Sequence, residues 1–505
     1  MYTRKNIMSA KKKILALLLA LLMAASAVGC ASDNTADGTA DTTAPAADNT
    51  ALEETDPVET EPEYVMWENL PAATLDGFEF KIVEYTPNQD TGATVLHGDA
   101  TELTGEAIND AIYNRNRAVE ERFDVKITTQ GEAWGAPSTM TRNNVAAGDD
   151  AFSMIMDAPG SVIGVATANN LLNLYNIENL NLENPWYSQN QIENFTILDK
   201  LYFWMGDISY STLMFGACMI YNLGMAERYE LPYIYDIVME GEWTIDKMYE
   251  ITETVPADLN GDGQFKESDD QFGYACGGSG NLMNFQFSSG ENFIKYDKAT
   301  KSFVDTYNVE RMQTIVEKMY KNFHDNNRGI NAQDYTALFN DGRVLLRSAY
   351  VGSCVNHTEM EDAFTPIPYP KFDTNQESYL SMMTGSVQVM GIPVTVSNPA
   401  AVGLVVEALS EHSAGDLNNA VYERVLSYQT MRSEDAVEIL KTIHDSLIID
   451  FGYLTATGAS DAAKWTVGQL VVEQQSTDVA SYWAKIQKTV AKFYEKMITT
   501  YEGLN

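Results

Sequence analysis

The chain has 505 residues, with 71 Asp plus Glu against 33 Lys plus Arg, which gives a formal charge of −38 at pH 7. Nucleic-acid backbones and anionic membrane surfaces are themselves negative, so this charge argues against a general role on either of them. Hydrophobic residues make up 45 % of the chain, which is enough for a large core, and the length corresponds to about two or three domain-sized units.

The first thirty residues have the pattern of a secretory signal peptide. Basic residues within positions 4–13 precede an apolar stretch at 14–28, which is too short to span a bilayer but matches a signal peptide. The sequence Ala27-Val28-Gly29-Cys30 then resembles the bacterial lipoprotein box. This resemblance implies removal of residues 1–29 and lipidation of Cys30, for example by palmitate, on the extracellular face of the cell membrane. The alternative is an ordinary signal peptide with an incidental Cys.

Residues 31–63 differ in composition from the rest of the chain. They hold ten acidic residues, no Lys or Arg, and mainly Ala, Thr, Asn and Pro, without a periodic apolar pattern. Such a composition is typical of a disordered segment. A flexible chain of this length spans roughly 30 Å, so we expect 30–63 to be a lipidated tether that holds a folded body off a membrane surface.

The folded body begins with alternating strand and helix patterns. Apolar residues recur at helical spacing over residues 106–122, and a second helical stretch ends near Ala147. Alternating or continuous apolar runs predict strands at 78–85, 124–130, 152–156 and 200–205. This order of elements predicts a doubly wound α/β fold.

Single residues further along the chain also indicate structural roles. Thr244 precedes the apolar residues of the next helix and is expected to be its N-cap. Residues 479–497 repeat apolar side chains at helical spacing, which places Trp483 in the core rather than against a ligand. The three cysteines after Cys30 are widely spaced and odd in number, so we favour buried thiols over a disulfide framework.

One loop has the pattern of a calcium-binding loop. The sequence from Asp258 to Asp269 fits D-x-[DN]-x-[DN]-G with an acidic residue at the twelfth position. In such a loop oxygen ligands converge on one cation, and Gly at the sixth position allows the sharp turn. The predicted ligands of a structural calcium ion are Asp258, Asn260, Asp262, Gln264 and Asp269. The alternative is a turn rich in Asp and Gly that binds no ion.

Several short stretches, in a fixed order, carry a resemblance to a known family. They are Ile108 to Arg117 with Val119 to Val125, Ala147 to Asp150, Asn184 to Tyr187, Gly206 to Ile208, Met219 to Asn222, Gly241 to Thr244, the Asp258 loop followed by Gln271 to Tyr274, Leu338 to Arg343 and Pro366 to Lys371. As an ordered set they resemble the extracellular solute-binding proteins of ABC importers, the group that includes maltose-binding protein, in the lipoprotein form of Gram-positive bacteria.

The resemblance implies a two-lobed α/β fold of the periplasmic-binding-protein type (type II), with a hinged cleft between the lobes. It implies that lobe 1 comprises residues 64–210 and 375–425. Lobe 2 would then comprise residues 211–374 and 426–505. The implied first crossing between the lobes lies near residues 209–217.

The candidate ligand-binding residues come from strand ends and from aromatic side chains, and for Tyr350 the resemblance to maltose-binding protein also implies a ligand-stacking aromatic at its place. Ligands of open α/β sheets lie beyond the carboxyl ends of the strands. Aromatic rings stack on the apolar face of a sugar, and Asp or Arg bridges its hydroxyl groups. The candidates are Trp134, Asp157, Trp186, Asp207, Tyr210, Tyr350 and Trp465. The alternative is core packing for each aromatic residue, and a helix cap or a hinge hydrogen bond for the two aspartates.

The function implied by the resemblance is binding without covalent chemistry. A monomeric receptor, anchored to the membrane through its lipid alone, would bind a carbohydrate, specifically an oligosaccharide, and deliver it to the permease subunits of an ABC transporter. Nucleic acid is not an expected partner. One alternative is the same fold with a peptide or another solute. Another is a surface glycoside hydrolase, which needs two carboxylates about 5–10 Å apart across a cleft.

Overall fold

The structure is a computed structural model, and it describes residues 66–86, 97–325, 327–427 and 434–505. All of these residues belong to one unit, Tyr64–Asn505. The predicted signal peptide, Cys30 and the predicted tether lie outside the described residues.

The strands and helices alternate along the chain. The strands are β1 (Phe78–Tyr85), β2 (Val125–Glu132), β3 (Met154–Asp157), β4 (Ala217–Asn222), β5 (Phe272–Cys276), β6 (Ile294–Asp297), β7 (Ser302–Asp305), β8 (Gly329–Asn331), β9 (Val344–Tyr350), β10 (Phe364–Ile367), β11 (Ser381–Met382), β12 (Val389–Gly391) and β13 (Leu447–Ile448).

The α-helices vary from single turns to one helix of 24 residues. They are α1 (Ala107–Phe123), α2 (Ala136–Ala147), α3 (Pro159–Ala166), α4 (Gln189–Phe195), α5 (Ser211–Met214), α6 (Leu223–Arg228), α7 (Ile234–Met239), α8 (Ile245–Thr252), α9 (Ser279–Ser288), α10 (Val309–Tyr320), α11 (Tyr335–Asn340), α12 (Pro399–His412), α13 (Asn418–Ser427), α14 (Glu434–Asp445), α15 (Phe451–Thr455), α16 (Thr466–Gly468) and α17 (Val479–Glu502).

Lobe 1 is built on a four-stranded sheet in the order β12-β3-β1-β2. Strand β1 runs parallel to β2 and to β3, and β12 joins the outer edge of β3 in the antiparallel direction. Helix α1 contacts β2, and α12 contacts β1. In the register of the pair β1–β2, Tyr85 lies opposite Glu132, so both strands end at the same edge of the sheet.

Lobe 2 is built on a five-stranded sheet in the order β10-β4-β9-β5-β8. Its central strand β9 runs parallel to β5 and antiparallel to β4, with Tyr350 opposite Ala217. Every residue of β4 and β5 is buried, as expected for strands that are covered on both faces. The two sheets give the predicted two-lobed α/β architecture.

The chain passes from lobe 1 to lobe 2 through α5 and rejoins the lobe 1 sheet at β12. The two crossing segments touch, because Gly216 forms a β-bridge with Met383. Strand β11, which precedes the return to lobe 1, pairs in parallel with β13. The residue bounds of the two lobes stay predictions.

Most of the predicted early elements are confirmed, and one is wrong. Strands β1, β2 and β3 and helices α1 and α2 lie close to their predicted positions. The segment 200–205 is not a strand, since it makes only isolated bridges from Lys200 to Ile197 and from Trp204 to Met390. Its apolar side chains are buried in the core, so the apolar pattern arises from burial without a strand ladder.

The predicted roles of single residues are confirmed as well. Thr244 caps α8 by accepting a hydrogen bond from the backbone N–H of Lys247 at 3.2 Å. Trp483 is 5 % exposed and stacks on Tyr307 with ring centroids 3.9 Å apart. The cysteines of the folded body are buried free thiols at Cys218, Cys276 and Cys354. No helix within the described residues has both the length and the apolar character of a membrane span.

Candidate ligand-binding cleft

A cleft of about 300 Å³ lies where the end of β1 in lobe 1 faces the end of β9 in lobe 2. A second space of about 650 Å³ adjoins it along Tyr85 and Trp134. The lining residues of the cleft come from lobe 1 (Tyr85, Trp134), from the crossing segments (Phe215, Ser386) and from lobe 2 (Tyr335, Thr336, Arg347, Tyr350, Ser353, Asn356).

Trp134 lines the cleft from lobe 1 and keeps 56 % of its surface exposed. The next residue, Gly135, has φ of 78°, a left-handed conformation that turns the chain sharply into α2. Asp157 fixes this turn, because its buried carboxylate accepts hydrogen bonds from the backbone N–H groups of Gly135 and Ser138, each at 3.1 Å. The Trp134 ring lies against Tyr85, with centroids 5.0 Å apart. Asp157 therefore positions the loop that presents Trp134 to the cleft.

Tyr350 lines the same cleft from lobe 2. It is the last residue of β9, and its ring meets Phe215 edge to face with centroids 6.5 Å apart. Its backbone N–H donates to Ser353 Oγ at 3.3 Å, which starts the 3₁₀-helix Val351–His357. The fold thus brings two of the predicted ligand-binding residues, Trp134 and Tyr350, to one cleft from opposite lobes.

Arg347 is the only charged side chain among the described residues that line the cleft, and it is 2 % exposed. Its Nη1 donates to Thr336 Oγ1 at 2.8 Å and its Nε donates to Ser348 O at 3.1 Å. Its guanidinium lies 4.6 Å from the centre of the Tyr335 ring, which is a cation–π contact. Burial lowers the pKa of Arg347 from its usual value. In the part of the chain that the structure describes, Arg347 forms no ion pair.

The Tyr335 ring lies close to the backbone at Gly277. A Cβ atom added at Gly277 would lie 2.3 Å from Tyr335 Cε1, so a larger residue there would displace the ring. Gly277 therefore leaves the space in which the ring contacts the Arg347 guanidinium.

The other aromatic candidates have partners inside the protein. Trp186 Nε1 donates to Glu407 Oε1 at 2.9 Å, and Trp465 Nε1 donates to Asp461 Oδ2 at 3.0 Å. Tyr210 is 3 % exposed and belongs to the buried core. None of these three residues lines the cleft shared by Trp134 and Tyr350. As ligand contacts they stay predictions.

Asp207 lies at a separate small cavity of about 210 Å³ that also contains Trp186 and His444. Asp207 Oδ2 accepts a hydrogen bond from Asn418 Nδ2 at 2.9 Å, and Asp207 Oδ1 lies 3.7 Å from His444 Nε2. Burial opposes protonation of His444, but Asp207 and Asp445 outweigh it and raise the pKa of His444 to about 9. Asp207 and Asp157 do not line the main cleft, and as ligand contacts they also stay predictions.

The lining includes residues that sequence reasoning missed, above all Arg347 and Tyr335. One signal for Arg347 is present in the chain, because a charged residue interrupts the apolar run of β9. A charged side chain is rare in a strand that is buried along its length, because burial of a charge is unfavourable unless the charge is paired or has a function. Tyr335 has no such signal, since it begins a short helix after a loop.

A buried polar network beside the cleft ties β1 to both crossing segments. We call it the hinge network; its members are Glu84, His97, Arg115, Ser209 and Gln388. The Glu84 carboxylate accepts hydrogen bonds from His97 N at 3.0 Å and Gln388 Nε2 at 3.0 Å. Ser209 Oγ donates to Gln388 Oε1 at 2.8 Å and lies 3.0 Å from His97 Nδ1. Burial raises the pKa of Glu84 to about 7, although its hydrogen-bond donors limit the rise.

Arg115 completes the hinge network and is fully buried. Burial lowers its pKa to about 10, while Asp99 and Glu84 oppose this shift. Its guanidinium donates hydrogen bonds of 2.9–3.3 Å to Asn116 Oδ1, Ile208 O, Ser413 Oγ, His97 O and Gly98 O. Ile208 adjoins the first crossing and the other acceptors belong to lobe 1, so Arg115 ties the start of the crossing segment to lobe 1.

The loop predicted to bind calcium is exposed and closes on itself through hydrogen bonds. Asp258 accepts from the backbone N–H groups of Gly261 and Gly263, each at 2.7 Å, and Asp262 pairs with Lys266 at 2.6 Å. Within the described residues, no three His, Cys, Asp or Glu side chains come together in a group that could hold a metal ion. Calcium binding by this loop stays a prediction.

The fold and the cleft define a class of protein architecture, in which a cleft lies between two α/β lobes. Neither a protein-family model nor a curated protein sequence matches the chain. Solved structures do match it. An extracellular solute-binding protein of family 1 from Alicyclobacillus acidocaldarius is 11 % identical, with a TM-score of 0.53, over 83 % of this chain and 99 % of that one.

Two further structures are similar over a comparable share of the chain. A cyclo/maltodextrin-binding protein complexed with maltotetraose is 12 % identical, with a TM-score of 0.52, over 81 % of this chain and 96 % of that one. The GacH receptor of Streptomyces glaucescens is 13 % identical, with a TM-score of 0.50, over 83 % of this chain and 99 % of that one. The chain has the fold of the extracellular solute-binding proteins of ABC importers, as its sequence predicts.

Proposed function

We propose that the protein is the substrate-binding component of an ABC importer and that it binds a saccharide, in particular an oligosaccharide. The observation that carries this proposal is the pair Trp134 and Tyr350, which line one cleft from opposite lobes. An indole that is 56 % exposed in a concave site is available to stack on the apolar face of a sugar ring. Among the similar structures, one is complexed with maltotetraose and another was determined with acarbose.

The proposal includes delivery to a membrane permease. Closure of two lobes around a ligand converts binding into a change of shape, which a membrane partner can recognise. The hinge network at the two crossings is the part of the chain about which such a closure would turn. In this proposal the protein acts as a monomer and performs no covalent chemistry.

The proposal also includes a lipid anchor at Cys30 on the extracellular face of the membrane, with the acidic segment 30–63 as tether. Replacing Cys30 with Ser in the full-length chain tests this part. We expect the variant to appear in the culture medium, while the wild-type protein fractionates with the membrane. Equal membrane association of the two proteins would contradict the anchor but would leave the binding proposal intact.

The main test is a ligand screen on the purified full-length protein by thermal shift and calorimetry. A saccharide at 100 times its Kd is expected to stabilise the protein by about 2.7 kcal/mol, whereas short peptides are expected to have no effect. Stabilisation by peptides alone would favour the alternative in which the same fold binds a peptide. Release of sugars from any glycan would favour the hydrolase alternative, which needs two carboxylates; the described residues that line the cleft and the adjoining space include one, Glu132.

A further inference from the structure

We propose that the cleft takes an anionic saccharide and that Arg347 binds the carboxylate of its uronate unit. This inference rests on the saccharide-binding function proposed above and specifies the chemical class of the saccharide. The feature behind it is a buried guanidinium that borders the cleft without a carboxylate partner in the described part of the chain.

Arg347 has hydrogen-bonding capacity that the described protein does not use. A guanidinium carries five N–H donors in a planar fork. Arg347 donates to Thr336 Oγ1 and to Ser348 O, and no other acceptor in the described residues takes its remaining donors. Since the side chain lines the cleft, a ligand can take them.

The charge of Arg347 also has no ion-pair partner among the described residues. Burial of a cation is unfavourable unless a counter-charge and hydrogen bonds accompany it. The chain has 71 acidic residues, yet no Asp or Glu is among the described residues that line this cleft, although Glu132 lines the adjoining space beside Tyr85 and Trp134. A ligand carboxylate would supply the counter-charge, and its two oxygens match the guanidinium fork in a bidentate pair.

The aromatic partner of Arg347 does not replace an anion. The Tyr335 ring attracts the guanidinium through its quadrupole but carries no net charge at neutral pH. Its contact with the guanidinium at 4.6 Å positions the charge beside the cleft, and Gly277 leaves the space that the ring occupies. The arrangement is therefore a preorganised cation beside the two aromatic residues Trp134 and Tyr350, which suits a sugar ring that bears a carboxylate.

The test compares matched saccharides on the full-length wild-type protein by isothermal titration calorimetry. The probes are oligogalacturonates, glucuronate-containing oligosaccharides and the methyl esters of both, against neutral malto-, cello- and galacto-oligosaccharides. An ester keeps the sugar and removes the charge. We expect at least one uronate to bind about 10- to 100-fold more tightly than its ester, which is the range of a charge-assisted hydrogen-bond pair.

Each other outcome of this comparison has a definite meaning. A neutral saccharide that binds as tightly as any uronate would overturn the inference and leave the proposed function standing. Absence of binding by every saccharide would overturn both. A sulfated neutral oligosaccharide forms an additional arm, and tighter binding of it than of any uronate would overturn the assignment of a carboxylate.

Variants assign the effect to Arg347. In Arg347→Gln we expect the acid and its ester to bind within about threefold of each other, whereas Arg347→Lys keeps the charge without the fork and retains part of the preference. Arg228→Gln is the control, because Arg228 is paired with Asp362 and lies outside the cleft lining. A preference that survives in Arg347→Gln would overturn the role of Arg347. If that variant does not fold, as judged by its melting curve, the acid and ester comparison on the wild type decides.

Discussion

Two arginines of this protein are almost equally buried but have different surroundings. Arg115 in the hinge network is 0 % exposed and Arg347 in the cleft is 2 % exposed, and neither forms an ion pair in the described part of the chain. Arg115 donates five hydrogen bonds to protein acceptors, whereas Arg347 donates two. Burial alone therefore does not separate a structural arginine from one that binds a ligand.

The difference shows what distinguishes the candidate site: its side chains keep hydrogen-bond donors or ring faces that have no partner among the described residues. In the hinge network the protein itself accepts the hydrogen bonds of Arg115, so this side chain holds the fold together. In the cleft, the remaining N–H donors of Arg347 have no acceptor among the described residues, and the Trp134 ring is exposed rather than packed in the core. Trp186 and Trp465 resemble Arg115 in this respect, because their indole N–H groups donate to carboxylates of the protein.

The largest expected effect is a loss of stability when Arg115, the structural arginine of the pair, is replaced. Replacement of Arg115 by Met would leave buried acceptors at Ile208, His97 and Ser413 without donors, so we expect a loss of about 3–5 kcal/mol in the free energy of unfolding. Urea denaturation measures this loss. The control is Arg117→Met on the same helix, where the side chain is 43 % exposed and its ion pairs are expected to contribute less than about 1 kcal/mol. Equal losses in the two variants would contradict the structural role of Arg115.

The next effect concerns binding rather than stability. Replacement of Trp134 by Ala removes the stacking surface of lobe 1, and we expect the affinity for a saccharide ligand to fall by roughly 30-fold, or about 2 kcal/mol. The free energy of unfolding is expected to change little, because the indole is 56 % exposed. Calorimetry and urea denaturation measure the two quantities. Leu103→Ala is the control, since Leu103 is 58 % exposed and does not line the cleft. An equal loss of affinity in both variants would contradict the stacking role.

Secondary structure and side-chain contacts also differ in how far the sequence predicts them. Strands β1 to β3 and helices α1 and α2 follow from local apolar periodicity, and Trp134 follows from its position at a strand end. Tyr350 follows from its place after a predicted strand together with the family resemblance. The state of an individual side chain depends on residues far away in the chain. Trp186 is engaged by Glu407, which is 221 residues distant, and no local pattern shows this contact.

The dependence on distant residues also explains why the sequence alone does not identify Arg347 as a ligand-binding candidate. Its chemistry depends on the lack of an acidic residue among the described residues that line the cleft, and in a chain with 71 acidic residues no local pattern shows where none will lie. The parallel register that brings Tyr85 and Glu132 to one edge also becomes visible only in the folded sheet. Local structure is therefore predictable here, whereas the partners that distinguish Arg115 from Arg347 are set by tertiary contacts.

The charge balance of the hinge network gives a third prediction, which depends on pH. Burial raises the folded-state pKa of Glu84 to about 7, above its ordinary value, so Glu84 is protonated in the folded state where the unfolded chain is already ionised. The folded state then binds more protons than the unfolded state, and stability falls as pH rises through 7. Between pH 6 and pH 8 the contribution of Glu84 is expected to fall by about 1 kcal/mol.

The variant Glu84→Gln isolates this contribution, because Gln does not titrate. Its stability relative to the wild type is expected to increase from pH 6 to pH 8, whatever the offset between the two proteins at pH 6. Urea denaturation over this pH range measures the difference, and Glu79→Gln on the same strand, with a side chain 56 % exposed, serves as the control. A constant difference between Glu84→Gln and the wild type would show that Glu84 is ionised in the folded protein throughout this range.

The smallest expected effect is on stability at the cleft. Replacement of Arg347 by Met removes two hydrogen bonds and a cation–π contact, but it also removes a buried charge that has no counter-charge in the described protein. These contributions oppose each other, so we expect the free energy of unfolding to change by less than about 1 kcal/mol in the absence of ligand. Urea denaturation of Arg347→Met and Arg115→Met under the same conditions measures the contrast directly. If the two variants lose similar stability, Arg347 is a structural residue like Arg115, and its unused donors do not mark a ligand site. If only Arg115→Met is strongly destabilised, folding does not depend on the charge of Arg347. That result supports a role of Arg347 in binding the ligand.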